Sequence, residues 1–203
     1  MIVLGVPTMG SIPVKVIGCI DNLIMKREVI PYYTEYSLIY DARRLIMQYA
    51  LDKGADLLFL DSDICFPLEG FDRLLNHSTD ICSGLYWDRH GSGEPIAYKK
   101  VLPSTWYRKD PVVERIDTIE NYMQVDGVGL GFCLIRYNVL EAFAGDKHNP
   151  FEPFGNLGED FSFLYRCRKK GFKIMLDTSF ELKHLGEYAY TIKDARVSAC
   201  SRV

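Results

Sequence analysis

Hydrophobic positions follow two rhythms along this chain. Residues 2–6 (IVLGV) are an unbroken apolar run, and 55–63 (ADLLFLDSD) places four consecutive large apolar residues ahead of its acids. Short runs apolar at every position predict strands buried on both faces. Between them the apolar spacing lengthens towards a helical turn. Residues 13–25 (PVKVIGCIDNLIM) predict a helix with Pro13 in its first turn. Ser37 as N-cap opens a second helix through Lys53, with Leu38, Ala42, Leu45 and Tyr49 as its apolar stripe and Gly54 at its end. Residues 28–33 (EVIPYY) and 80–85 (DICSGL) predict further strands, and 68–76 a third helix.

This alternation of strand and helix predicts an α/β fold, a Rossmann-like sheet of mostly parallel strands covered on both faces. Ligands bind such sheets at the carboxyl ends of the strands. Asp61, Ser62 and Asp63 stand at such an end. After residue 86 the pattern changes. Residues 87–95 (WDRHGSGEP) have loop composition. Shorter strands are expected at 96–101, 112–117, 121–125 and 130–136, a helix at 159–170, and a strand at 173–176. This mixed C-terminal part is expected to continue the same sheet. The expected organisation is one domain over 1–203, with a first half at 1–86 and a second half at 87–203.

Composition narrows the function classes. The 203 residues are 48% hydrophobic and 25% charged, an ordinary soluble mixture that folds without a disulfide or metal staple. With 24 basic and 27 acidic residues the net charge is -3, so no basic field attracts nucleic acid or an anionic membrane. The apolar runs fall short of the roughly 20 residues of a membrane span. The opening MIVLGVPTMG has no basic region before its apolar run and reads as a strand, not a signal peptide. Six cysteines, at 19, 65, 82, 133, 167 and 200, never form CxxC. They read as small buried hydrophobes in a reducing, cytoplasmic setting. Aromatics at 13% exceed a minimal core and leave rings available for a binding groove.

Four groups of residues could carry chemistry, and each also has a plain reading. Asp61 and Asp63, two apart in extended chain, would point to one side and repel unless a hard cation sat between them; the plain reading is a solvated turn. Glu159 and Asp160 open the C-terminal helix, where acids suit the N-terminal end of the dipole. Phe161, Leu164 and Tyr165 are its expected buried stripe, with Lys169, Lys170 and Gly171 at its end. His184 is a surface or core histidine unless it ligates a metal. Arg43 and Arg44 are a surface pair, or a phosphate clamp if they face the strand ends. Gly127, Gly129 and Gly131 precede a strand, not a helix, so VDGVGLGF is no dinucleotide fingerprint.

Taken in order, five segments resemble the GT-A glycosyltransferases, in particular the small family-2-like enzymes of bacteria and their phages. They are VPTMG, DARRLIMQYAL, DLLFLDSDICFP, GVGLGFCLIR and GEDFSFLYRCRKKGFKIMLDTSFELKHLG. The resemblance implies a nucleotide-binding half at 1–86, an acceptor and catalytic half at 87–203, and a nucleotide-diphosphate sugar donor such as a UDP- or GDP-sugar, held with Mn²⁺ or Mg²⁺. In it, Pro7, Thr8, Arg43, Asp61 and Ser62 contact the donor. Asp61, Asp63 and His184 serve the metal. Asp160 is the base that takes the acceptor's proton, with inversion, and Glu159 orients acceptor or donor. The 87–95 loop, with Trp87, His90, Gly91 and Gly93, would close over the donor. The acceptor, whether glycan, protein or small molecule, is left open, and the small acceptor half raises completion by a second subunit. Two rivals stand beside this reading: a sugar nucleotidyltransferase, for which PTMGSIP lacks the basic residue, and a non-catalytic sugar-nucleotide-binding module.

Overall fold

A computed structural model describes residues 1–35, 38–88, 93–186 and 189–190. The Ser37 cap, His90, Gly91 and Cys200 lie outside the described residues. The elements in chain order are β1 (Ile2–Thr8), α1 (Val14–Lys26), β2 (Val29–Glu35), α2 (Ile39–Asp52), β3 (Asp56–Leu60), β4 (Ile64–Cys65), α3 (Leu68–Asn76) and β5 (Ile81–Gly84). Then come β6 (Ala97–Leu102), β7 (Val112–Arg115), β8 (Tyr122–Val125), β9 (Gly127–Val128), β10 (Phe132–Ile135) and α4 (Tyr137–Glu141). The chain continues through α5 (Glu159–Lys169), β11 (Ile174–Asp177), β12 (Lys183–Leu185) and β13 (Ala189–Tyr190).

A seven-stranded sheet in the order β2-β1-β3-β10-β5-β11-β8 organises the molecule. β1 runs parallel to β2 and β3, and β5 parallel to β11. Alternation along β3 explains the unbroken apolar run. Leu57 and Phe59 enter the core under α2, α4 and α5, while Leu58 and Leu60 enter the core under α1 and α3. The result is an α/β/α sandwich. Gly5 permits a close approach of α2 to the sheet: a Cβ there would lie 2.1 Å from Ile46 Cγ2.

Three features depart from the sequence reading. β10, antiparallel to both neighbours, sits between β3 and β5. Its pairing partners are distant in sequence, so nothing local announces its place. Second, α2 buries Ala42, Arg43, Ile46, Met47 and Ala50, while Leu38 stays about half exposed. The helix is rotated so that Arg43 faces inward. Third, α5 buries Phe163, Leu164 and Cys167 in the main core. Phe161 and Tyr165 instead pack on a small cluster with Tyr98 and Val101 of β6, so this helix serves two cores. Two minor sheets, β13-β12-β4 and β7-β6-β9, complete the fold. Among the described residues no helix is long and apolar enough to cross a membrane.

Candidate active site

A cavity of about 580 Å³ opens at the carboxyl ends of β1, β3 and β5. Pro7, Thr8, Arg43, Asp61, Ser62, Asp63, Glu159, Asp160 and His184 all line it, so residues from five separate segments meet in one place. Pro7 is buried at the end of β1, and the Thr8 hydroxyl donates to the Ser11 carbonyl at 3.0 Å.

Arg43 is the centre of the arrangement. Its side chain is 2% exposed, and Nη2 donates to Asp61 Oδ1 at 3.1 Å. The same nitrogen lies 3.2 Å from Asp160 Oδ1, and Nε lies 3.9 Å from Glu159 Oε1. The guanidinium sits over the Phe59 ring, 5.0 Å from its centroid. Burial alone would favour the neutral form, but Asp160, Asp61 and Glu159 outweigh it and hold Arg43 as a cation. Arg43 Nε and Nη1 nevertheless have no hydrogen-bond partner, and neither does Asp160 Oδ1. The cluster is held by charge more than by directed bonds.

The two acids of DSD do not share a strand face. β3 ends at Leu60, and the Ile64 N–H donates to the Asp61 carbonyl at 3.1 Å, closing a turn over 61–64. That turn sends Asp61 to Arg43 and Asp63 towards His184. Asp63 Oδ2 lies 3.5 Å from His184 Nε2. The ladder between β4 and β12 sets this pair, with His184 opposite Ile64. His184 Nδ1 lies 2.7 Å from the Trp87 carbonyl, which can only accept, so Nδ1 carries the proton. In the neutral imidazole Nε2 then presents its lone pair towards Asp63.

Glu159 and Asp160 occupy the first turn of α5, whose N-cap is Gly158 and which has no side-chain cap. Asp160 Oδ2 accepts the Leu130 N–H at 3.1 Å, tying α5 to the loop before β10. Asp160 is pushed up to about 7: loss of solvation dominates, Glu159 and Asp61 add to it, and Arg43 and the Leu130 N–H oppose it.

No protein-family model matches the chain, and no curated protein matches it. Solved structures do. The chain is similar to A197 from STIV, with a TM-score of 0.69 at 19% identity over 100% of this chain and 97% of that one. It is also similar to GalNAc-T7, solved with UDP, GalNAc and Mn²⁺, with a TM-score of 0.59 at 11% identity over 93% of this chain. There it spans 44% of the longer protein. This chain has the GT-A glycosyltransferase fold. That fold is one used by enzymes of nucleotide sugars.

Within the GT-A frame, the structure adds Tyr86, Asp88, Ile96 and Tyr40 to the cavity wall, none of them singled out from sequence. Tyr86 explains the glycines of VDGVGLGF. Its hydroxyl accepts the Gly131 N–H at 3.0 Å. A Cβ at Gly129 would fall 1.9 Å from that hydroxyl, and one at Gly131 would fall 2.8 Å from it and 2.9 Å from Asp61 Oδ2. The glycines are therefore the mould of a buried tyrosine. Burial first, then Asp61 and Asp160, hold its phenol well above the usual range, so it stays protonated beside the acids. Its ring also meets His184 edge-on, with centroids 5.3 Å apart. Of the 87–95 loop, Trp87 is buried and bridges to Pro95, and the Asp88 N–H donates to the Glu94 carbonyl at 3.0 Å. A triple-glycine spacing opposite a lone tyrosine was the available signal, and it has no meaning until β5 and β10 are known to be neighbours.

Proposed function

We propose that the chain is a metal-dependent glycosyltransferase, moving a sugar from a nucleoside-diphosphate sugar to an acceptor hydroxyl with inversion. One observation carries the reading. Asp61, Asp63, Asp88, Glu159 and Asp160 line the cavity, and Arg43 is the only lysine or arginine lining it among the described residues. An acid-rich cavity repels a diphosphate unless a hard cation enters with it. The donor set fits such an ion. The Asp63 carboxylate oxygen and His184 Nε2 lie 3.5 Å apart, and with the imidazole neutral both are donors that a divalent cation between them could accept. The hydrogen bond from His184 to the Trp87 carbonyl is the kind of second-layer contact that fixes a ligating histidine. Among the described residues no three such side chains stand together as a ready metal cluster. Asp63 and His184 would hold the ion, with Asp61 beside them. When bound, Mn²⁺ or Mg²⁺ neutralises charge developing on the diphosphate leaving group.

The chain's own residues do the rest. Pro7, Thr8 and Ser62 border the donor side. Arg43 fixes Asp61 and Asp160 relative to one another. Asp160, poised near neutrality, takes the acceptor's proton, and a single base suits one in-line displacement. Glu159 orients the reacting sugar or acceptor. The likeness to GalNAc-T7, whose structure holds UDP, GalNAc and Mn²⁺, supports a UDP-sugar as the first donor to try.

The test is incubation with UDP- and GDP-sugars and Mn²⁺. Release of nucleoside diphosphate is the expected outcome. Release of pyrophosphate would make the chain a nucleotidyltransferase, and binding without turnover a non-catalytic module. Asp160→Asn should keep donor binding by calorimetry while turnover falls about 10²–10⁴-fold. Asp63→Ala should lose the Mn²⁺-dependent part of donor binding.

A further inference from the structure

We propose that Cys19 and Cys65 close into a disulfide that fastens α1 to β4 when the protein meets a small-molecule disulfide. The inference stands apart from the glycosyl-transfer reading. α1 packs directly on β4. Cys19 lies on the inward side of α1, beside buried Val16, Ile20 and Leu23. Cys65 ends β4, opposite Lys183 of β12. Both cysteines are half-buried and pack against the same hydrophobic cluster, so both side chains face the seam between α1 and β4. Cys82, Cys133 and Cys167, by contrast, are fully buried among the side chains of the two main cores. The pair is thus set apart from the cysteines that only fill the core.

Exchange proceeds in two balanced steps. One thiolate of the pair attacks a sulfur of the reagent, forming a mixed disulfide and releasing one thiol. The second cysteine then attacks the protein sulfur of that mixed disulfide and displaces the other half. The two cysteines lose two electrons and two protons, and the reagent leaves as two thiols. Both cysteines are only partly open to solvent, so exchange is slow and needs excess reagent. The bond would close a loop of about 46 residues, and such a loop restricts the unfolded chain. It would also tie down the segment that follows Asp63 and pairs with His184.

The experiment exposes the intact protein to oxidised glutathione, then counts thiols and maps peptides without reduction. The expected result is loss of two of the six thiols, a Cys19–Cys65 cross-linked peptide, and a melting temperature raised by about 5–15 °C that dithiothreitol reverses. Cys19→Ser and Cys65→Ser should each lose the cross-link and the gain in melting temperature. Six surviving thiols, separate glutathione adducts on both cysteines, or a cross-link to Cys200 would each overturn the proposal.

Discussion

Two arginines sit at opposite ends of the central sheet, and their surroundings differ in kind. Arg136 follows β10 at the end away from the cavity. Its Nη1 donates to Asp56 Oδ2 at 2.9 Å, and its Nη2 donates to the Leu75 and His77 carbonyls at 2.7 Å each. Asp56 Oδ1 in turn accepts the Tyr137 N–H at 2.8 Å. One cation, one carboxylate and the carbonyl end of α3 satisfy each other, as expected of a cluster that only holds the fold. Arg43 faces three carboxylates at the cavity end and leaves two of its nitrogens without hydrogen-bond partners. Incomplete satisfaction at that depth costs stability and is tolerated where a ligand or a reaction uses the groups. The closed end of the sheet is satisfied within the fold, and the open end keeps the unpartnered buried charge that the proposed transfer would use.

Replacing Arg43 by Ala should have the largest effect on this contrast. Three acids would lose their buried counter-charge, and breaking a buried ion cluster on one side costs about 3–5 kcal/mol. A urea melt would read it as a lower midpoint with unchanged slope. Added Mn²⁺ should recover part of the loss in the variant, because the surplus carboxylates gain a cation. A variant as stable as the parent would mean that the charge cluster contributes nothing.

Arg136→Ala should cost less, about 1–3 kcal/mol, from unpaired Asp56 and the exposed carbonyls at the end of α3. Donor binding by calorimetry should not change. Loss of binding alongside stability would show that the two ends are coupled and would weaken the division drawn above.

How much of this was readable beforehand follows from how local each cause is. β1 and β3 were legible because burial on both faces leaves a continuous apolar run, and the start of α5 at Glu159 was legible from the pattern after it. The inward turn of Arg43 was not. Ala42, Ile46, Met47 and Ala50 make a second stripe on α2 nearly as apolar as the expected one, and only the distant acids decide between them. The turn at 61–64 has no local signal, because putting Asp61 and Asp63 on one face requires extended chain three residues past the end of β3 at Leu60. His184 is an ordinary histidine in its local sequence and Tyr86 gives no signal at all, since each acquires meaning from a neighbour more than 40 residues away.

Gly129→Ala tests that last contact. The added methyl would collide with the Tyr86 hydroxyl and ring, both held in a packed wall, at an overpacking cost of about 1–3 kcal/mol. Tyr86→Phe in the same chain should return part of it by removing the nearest atom. No recovery would mean that the strain lies elsewhere in the 127–131 loop.

The smallest effect concerns pH, and its sign separates the two ends once more. Asp160 has an ordinary value of 3.8 and is pushed up to about 7 in the fold. The native chain therefore holds this proton where the unfolded chain has released it. Stability must fall as pH rises between those two values and level off above the upper one. Asp160→Asn removes the titrating group while keeping a neutral side chain of the same shape. The parent and the variant should melt together near pH 4. Above about pH 7 the variant should be the more stable, the direction expected when a desolvated charge is deleted. Asp56→Asn at the closed end should be less stable than the parent, because it breaks the ion pair with Arg136 and weakens the acceptor of the Tyr137 N–H. Chemical melts of the three proteins across pH 4 to 8 decide it. A gap for Asp160→Asn that stays constant with pH would mean that Asp160 is already ionised at pH 4, and its assignment as the base would lose its physical support.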